Sequence, residues 1–290
     1  MLDSRATIGE SPTWYAAERA LFWIDVKEPA LHRLGSDGST QRWQLESDIG
    51  AFALLEGAVG ALVALRKGIF SLDFRNSATR LLAQAPFDSR LFRFNEGICD
   101  AQGRFWVGVM FDPIPGIRAE TSLKSALHRF TFAHGLTAGS DRSALHNGFA
   151  WSCSHDAFFW SHSKTGRIYR APYDPGAGEL GSPELFVDVQ GGKCVPDGAA
   201  MDEEGCYWCA IHGAGVLHRY DATGILVSQI RLPVSQPTMC AFVGVNLDEM
   251  VVTSARENLS PAQLQREPHA GGVFRFRPGV RGTARPCVVR

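Results

Sequence analysis

Hydrophobic positions along this chain fall in short runs separated by glycine-containing turns, and the runs come in pairs. A run rich in aromatic and β-branched residues is followed by a short turn and a second run. The pairs occupy residues 20–26 with 31–34, 60–65 with 69–73, 103–110 with 126–130, 157–161 with 167–173, 205–211 with 215–221, and 249–254 with 272–276. Runs of this length bounded by turn formers read as strands rather than helices. Trp23, Leu62, Trp106, Trp160, Trp208 and Val251 anchor the first run of each pair, spaced 39, 44, 54, 48 and 43 residues apart. A mean spacing of about 46 is close to one four-stranded propeller blade.

The pattern therefore predicts an all-β fold, a six-bladed β-propeller, with residues 1–290 forming one domain and no linker left over. An irregular β protein or sandwich would also show short strands. The recurrence of Gly-Arg-Phe-Trp-Val, Ala-Phe-Phe-Trp-Ser and Gly-Cys-Tyr-Trp-Cys at equivalent places favours repeated blades. One helix is expected, over residues 261–267, where good helix formers follow Ser-Pro.

Composition narrows the partners. The chain has 29 basic and 30 acidic residues, a net charge of −1, so it lacks the basic excess on which non-specific nucleic-acid binding rests. The one basic stretch is C-terminal, with Arg275, Arg277, Arg281, Arg285 and Arg290, and reads as a solvated tail or edge strand. No apolar run is long enough to span a bilayer, and no leader is visible near Met1, so no membrane partner and a cytoplasmic protein are expected. Seven cysteines fit a reducing compartment. Cys206 and Cys209 form a C-x-x-C on a predicted strand, where residues three apart face opposite ways, which favours packing over zinc.

Four short segments carry the candidate chemistry: Gly9-Glu10-Ser11-Pro12, Arg93-Phe94-Asn95-Glu96-Gly97, His146-Asn147-Gly148 and Pro196-Asp197-Gly198. Each places a carboxylate or amide beside glycine or proline, in what reads as a loop just before a strand. A ring of blades would bring Glu10, Asn95, Asn147 and Asp197 together at its axis. Two carboxylates and two amides suit a hard or borderline divalent cation.

With these segments in order, the chain resembles the senescence marker protein/gluconolactonase/luciferin-regenerating enzyme family. The similarity runs through Ile8–Trp14, residues 93–97 and 100–108, Asn147–Ser152, Pro196–Gly198, Pro237-Thr238 and residues 252–256. It implies a six-bladed propeller holding one divalent metal ion (Ca, Zn, Mn, Mg or Fe) through Glu10, Asn147 and Asp197. It also implies Asp197 as the general base, and Arg93, Asn95 and Glu96 as substrate contacts. Many members carry Asp-Ser or Asp-Thr where this chain has His162-Ser163, so His162 joins the substrate contacts as a variable position. Residues 111–124 have no clear counterpart and read as a loop over the site. The implied activity is opening of a sugar lactone to its aldonic acid. The alternatives are a metal-binding regulatory or sugar-sensing protein without turnover, and an esterase or organophosphate hydrolase on the same site. No G-x-S-x-G elbow, P-loop or dinucleotide fingerprint competes. Oligomeric state is not legible.

Overall fold

The computed structural model describes residues 1–117, 121–189 and 194–289. The chain is a six-bladed β-propeller, nearly all β. Blade 1 comprises Gly9–Tyr15, Ala20–Asp25, Ala30–Gly35 and Thr40–Gln44, and blade 2 comprises Ile49–Leu55, Gly60–Leu65, Gly68–Asp73 and Thr79–Gln84. Blade 3 is Phe92–Cys99, Phe105–Phe111, Ser125–Thr131 and Gly135–Ser143. Blade 4 is His146–Trp151, Ala157–His162, Arg167–Asp174 and Glu184–Asp188, with the short strand Glu179–Leu180 at its edge. Blade 5 is Val195–Met201, Tyr207–His212, Val216–Tyr220 and Leu226–Arg231, and blade 6 is Pro237–Val243, Glu249–Ser254 and Phe274–Phe276. The six predicted pairs are the second and third strands of these blades.

The first strand of every blade touches the first strands of both neighbours, which closes the ring. The second strands explain the hydrophobic pattern. In Ala20–Asp25, Phe22 and Ile24 enter the core shared with blade 2, while Leu21 and Trp23 enter the core shared with blade 6. Trp208 and Ala210 likewise face blade 6 while Tyr207 and Cys209 face blade 4. A strand sandwiched between blades is buried on both faces, so its sequence is apolar throughout rather than alternating. The six cores, one per blade interface, use the alternation to divide side chains between neighbours instead of between core and solvent.

Closure uses the N-terminus: Leu2 exchanges two backbone hydrogen bonds with Val273 (2.8 and 2.9 Å), beside blade 6. The C-terminus runs the other way, inward. Gly282 bridges Asp202, and Val288–Val289 pairs parallel with Ile49–Leu55, the innermost strand of blade 2. The expectation of a solvated tail or edge strand thus fails for Arg285, as described below. It holds for Arg275 and Arg277, which are mostly exposed; Arg290 lies outside the described residues. The helix forms at Pro261–Arg266, closed by a capping box between Ser260 and Gln263. It buries no residue and is a surface insertion between two strands of blade 6. Cys206 and Cys209 are buried and unpaired, and among the described residues no helix is long and apolar enough to cross a membrane.

Candidate active site

The four site segments are not loops before strands. They are the innermost strands themselves, and each is bulged where the polar residue sits. In blade 1, Glu10 pairs with Ile24 but Thr13 pairs with Phe22, so one extra residue is accommodated. The same insertion separates Asn147 from Ala150 in blade 4 and Pro196 from Ala199 in blade 5. In blade 3 the extra residue is Glu96, between Asn95 and Gly97. A bulge bends its strand and re-aims the local side chains. The residue after the polar one takes positive φ in three blades: Ser11 (53°), Glu96 (44°) and Gly148 (68°). Asn-Gly and Asp-Gly, which read as turn dipeptides, serve these bulges instead. A Cβ on Gly148 would overlap the Tyr207 hydroxyl, which donates to the Gly148 carbonyl at 2.7 Å. The position therefore demands glycine both for conformation and for space.

Hydrogen bonds chain the site together. Asp112 accepts from Arg93 Nε (3.1 Å), and Arg93 Nη1 donates to Asn95 Oδ1 (2.7 Å). Asn95 Nδ2 donates to Asn147 Oδ1 (2.6 Å) and to the His146 carbonyl (2.9 Å). Asn147 Nδ2 donates to Ser163 Oγ (3.0 Å), which fixes the amide with its oxygen toward Asn95. Glu96 Oε1 accepts the Phe149 N–H (2.8 Å), whereas the buried Oε2 has no partner among the described residues.

The carboxyls here are poorly balanced. Burial, then the neighbouring Glu96, pushes Glu10 up to about 8. Burial pushes Glu96 up to about 7, and burial with Glu10 and Glu96 nearby holds Asp197 well above the carboxylate range. Two guanidiniums oppose this, those of Arg93 and Arg285. Arg93 is only 4% exposed and is partly spent on Asp112. Arg285 comes from the inward-running C-terminal segment, donates to the Gly97 carbonyl (2.7 Å), and feels Glu96 as its largest attractive neighbour.

The structure thus brings Glu10, Asn95, Glu96, Asn147, Asp197 and Arg93 into one electrostatic neighbourhood. His162 lies beside it, at the end of the second strand of blade 4, bonded to Asp141 rather than to these residues. The predicted loop over the site is described as far as residue 117 and from residue 121, with 118–120 outside the described residues. The sequence reading missed Asp112, Arg285 and the partners of His162. It also missed the rim network in which Lys27 and Arg66 each bond both Asp48 and Asp112 (2.7–3.0 Å). None of these residues lies in a recurring motif; each is recognised only by its contacts.

Comparison with known proteins fits this geometry. The model of the SMP-30/Gluconolactonase/LRE-like region matches residues 8–256. The chain belongs to this family. It is 36% identical over 285 residues to a 6-deoxy-6-sulfogluconolactonase of Pseudomonas putida, covering 97% of this chain and 94% of the relative. Regucalcin of Homo sapiens is 29% identical, with 98% and 95% covered. Among solved structures, a calcium-binding protein, regucalcin, from Agrobacterium tumefaciens superimposes with a TM-score of 0.90 at 26% identity, covering 99% of this chain and 95% of that one.

Proposed function

We propose that this family member is a divalent-metal-dependent hydrolase that opens a sugar lactone to its aldonic acid. The observation that carries the reading is the axial cluster, in which three buried carboxyls, Glu10, Glu96 and Asp197, gather with two guanidiniums, Arg93 and Arg285, opposing them among the described residues. The activity named for the Pseudomonas putida relative supports the reaction class.

A cation fits the residues present. The donors are all oxygen, the three carboxyls outnumber the two guanidiniums that oppose them, and among the described residues the buried Glu96 Oε2 has no hydrogen-bond partner. Glu10, Asn147 and Asp197 would hold the ion, Ca, Zn, Mn, Mg or Fe, which when bound supplies Lewis-acid polarisation of a carbonyl oxygen. The protein's own groups do the rest. Asp197, set on its bulge, takes the proton of the water that adds to the lactone carbonyl carbon. The bond from that carbon to the ring oxygen then breaks, and the ring oxygen receives the proton to become a hydroxyl. Arg93, Asn95 and Glu96 orient the sugar, Arg93 being steadied by Asp112. The His162 ring is occupied by Asp141 and Trp160 and is left out of this set.

The test is a lactone panel, including a 6-sulfonated gluconolactone, with an aryl ester as control. Metal-free protein is assayed with one ion re-supplied at a time. Lactone opening well above the spontaneous rate, stopped by chelation, is expected. Tight metal binding with no turnover would overturn the reading in favour of metal binding alone, which the naming of the Agrobacterium protein as calcium-binding favours. Faster turnover of the ester would move the assignment to an esterase.

A further inference from the structure

We propose that Asp141, His146 and His162 form a second, nitrogen-rich metal site, distinct from the axial oxygen cluster, that takes a first-row transition-metal ion of the zinc class. Asp141 lies near the end of the outer strand of blade 3, Gly135–Ser143, and the two histidines sit at the ends of the first two strands of blade 4. Both Nε2 atoms lie 2.9 Å from the same oxygen, Asp141 Oδ2, and the three donor atoms all fall within 4.8 Å of one another. The two rings stand nearly perpendicular, at 88°.

The contacts around the cluster suit either protons shared with Asp141 Oδ2 or a cation in their place. Trp160 Nε1 donates to His162 Nε2 at 3.3 Å. Nε2 also lies 2.9 Å from Asp141 Oδ2, so a cation bound there would take the in-plane position that these two contacts now share. His146 Nδ1 lies 3.4 Å from the Val109 carbonyl. The Val109 N–H lies at the same 3.4 Å from Nδ1; with Nδ1 donating to the carbonyl instead, Nε2 is free to ligate, the arrangement usual for a histidine ligand backed by a backbone acceptor.

Charge favours the cation. The Asp141 side chain is 14% exposed, and among the described residues no lysine or arginine pairs with it. His146 is fully buried. A divalent ion held by two neutral imidazoles and one carboxylate would supply the missing counter-charge. Zinc bonds of about 2.0–2.1 Å put tetrahedral ligands roughly 3.3 Å apart, so each Nε2 would move back from Asp141 Oδ2, now at 2.9 Å, by a few tenths of an ångström. Three protein ligands leave a position open, and Asp141 with Trp160, Trp106 and Arg129 lines a cavity of about 260 Å³ between blades 3 and 4. Imidazole donors select zinc, cobalt or iron over calcium and magnesium.

The experiment counts ions on the full-length chain. Metal-free protein is loaded with Co²⁺, with and without excess Ca²⁺, and read by elemental analysis and by the cobalt visible bands. Two cobalt ions per chain are expected, one displaced by calcium and one retained with imidazole-type bands. His162→Ala should lose the retained ion and Asp197→Asn the displaceable one, with melting curves confirming folding. Asp141→Asn, which keeps the side-chain shape, serves if His162→Ala does not fold. Unchanged cobalt stoichiometry in both His162→Ala and Asp141→Asn, or complete displacement by calcium, would overturn the site. Because the axial ion is removed by a different variant, failure of this proposal leaves the lactonase reading intact, and the reverse.

Discussion

Two polar clusters meet at the top of blade 4, joined through the neighbours His146 and Asn147, and they treat buried carboxyls in opposite ways. At the axis, burial raises Glu96 to about 7, and burial with repulsion from the neighbouring carboxyls raises Glu10 to about 8 and lifts Asp197 as well. At Asp141, burial also acts to raise the pKa, but the hydrogen bonds from His146 and His162 outweigh it and hold that carboxyl far below its usual range. Burial is therefore not what separates the two. Among the described residues the axial carboxyls have one another and two guanidiniums, Arg93 and Arg285, whereas Asp141 has two imidazoles in direct contact. A carboxyl cluster short of counter-charge is poised to gain from a cation.

The largest effect that would test this difference is on catalysis. Asp197→Asn should lower kcat for lactone opening by about 10²–10⁴-fold, the range for losing a positioned base. Full activity with metal still bound would sink its assignment as base. The same variant removes one of three repelling carboxyls, so metal-free protein should melt slightly higher at pH 8 than the parent.

Next in size is the pH dependence of metal-free stability. Glu10 and Glu96 have folded values of about 8 and about 7 against an ordinary value of 4.5. Groups raised in this way contribute stability that is fully present below about pH 4.5 and is lost as pH rises through 7 to 8. The metal-free protein should melt about 5–10 °C lower at pH 8 than at pH 5, and a divalent cation should close the gap. A melting temperature rising from pH 5 to pH 8 without metal would contradict the charge imbalance.

The smallest effect isolates Arg285. Arg285→Met removes the guanidinium that lowers Glu96, so it should cost about 5 °C at pH 8 and clearly less at pH 5, where Glu96 is protonated. An equal loss at both values would mean that Arg285 acts through packing or its Gly97 hydrogen bond alone.

How much of this was legible beforehand follows from the range of each interaction. The blade strands could be read because each is a local pattern repeated six times, with Trp23, Trp106, Trp160 and Trp208 at equivalent places. The axial residues could be read because each sits in a short motif and a ring must bring such motifs together. Their setting was misjudged: Asn-Gly and Asp-Gly suit turns and bulges alike, and only the pairing register distinguishes the two. His162 was noticed but separated from its partners, since nothing in sequence ties it to Asp141, 21 positions earlier and in a different blade.

By itself, then, the sequence determined the all-β repeat, the number of blades and the identity of the oxygen-bearing residues, because these depend on periodicity and on side-chain chemistry. The tertiary structure decided the electrostatics. Arg285 reaches the axis only because the C-terminal segment turns inward, bringing its guanidinium to a carbonyl 188 positions away. Arg93 is aimed only because Asp112, beyond the next strand, holds it. Whether a buried carboxyl is lifted like Glu10 or lowered like Asp141 depends on what the closed ring places within a few ångströms of it, and no local pattern encodes that.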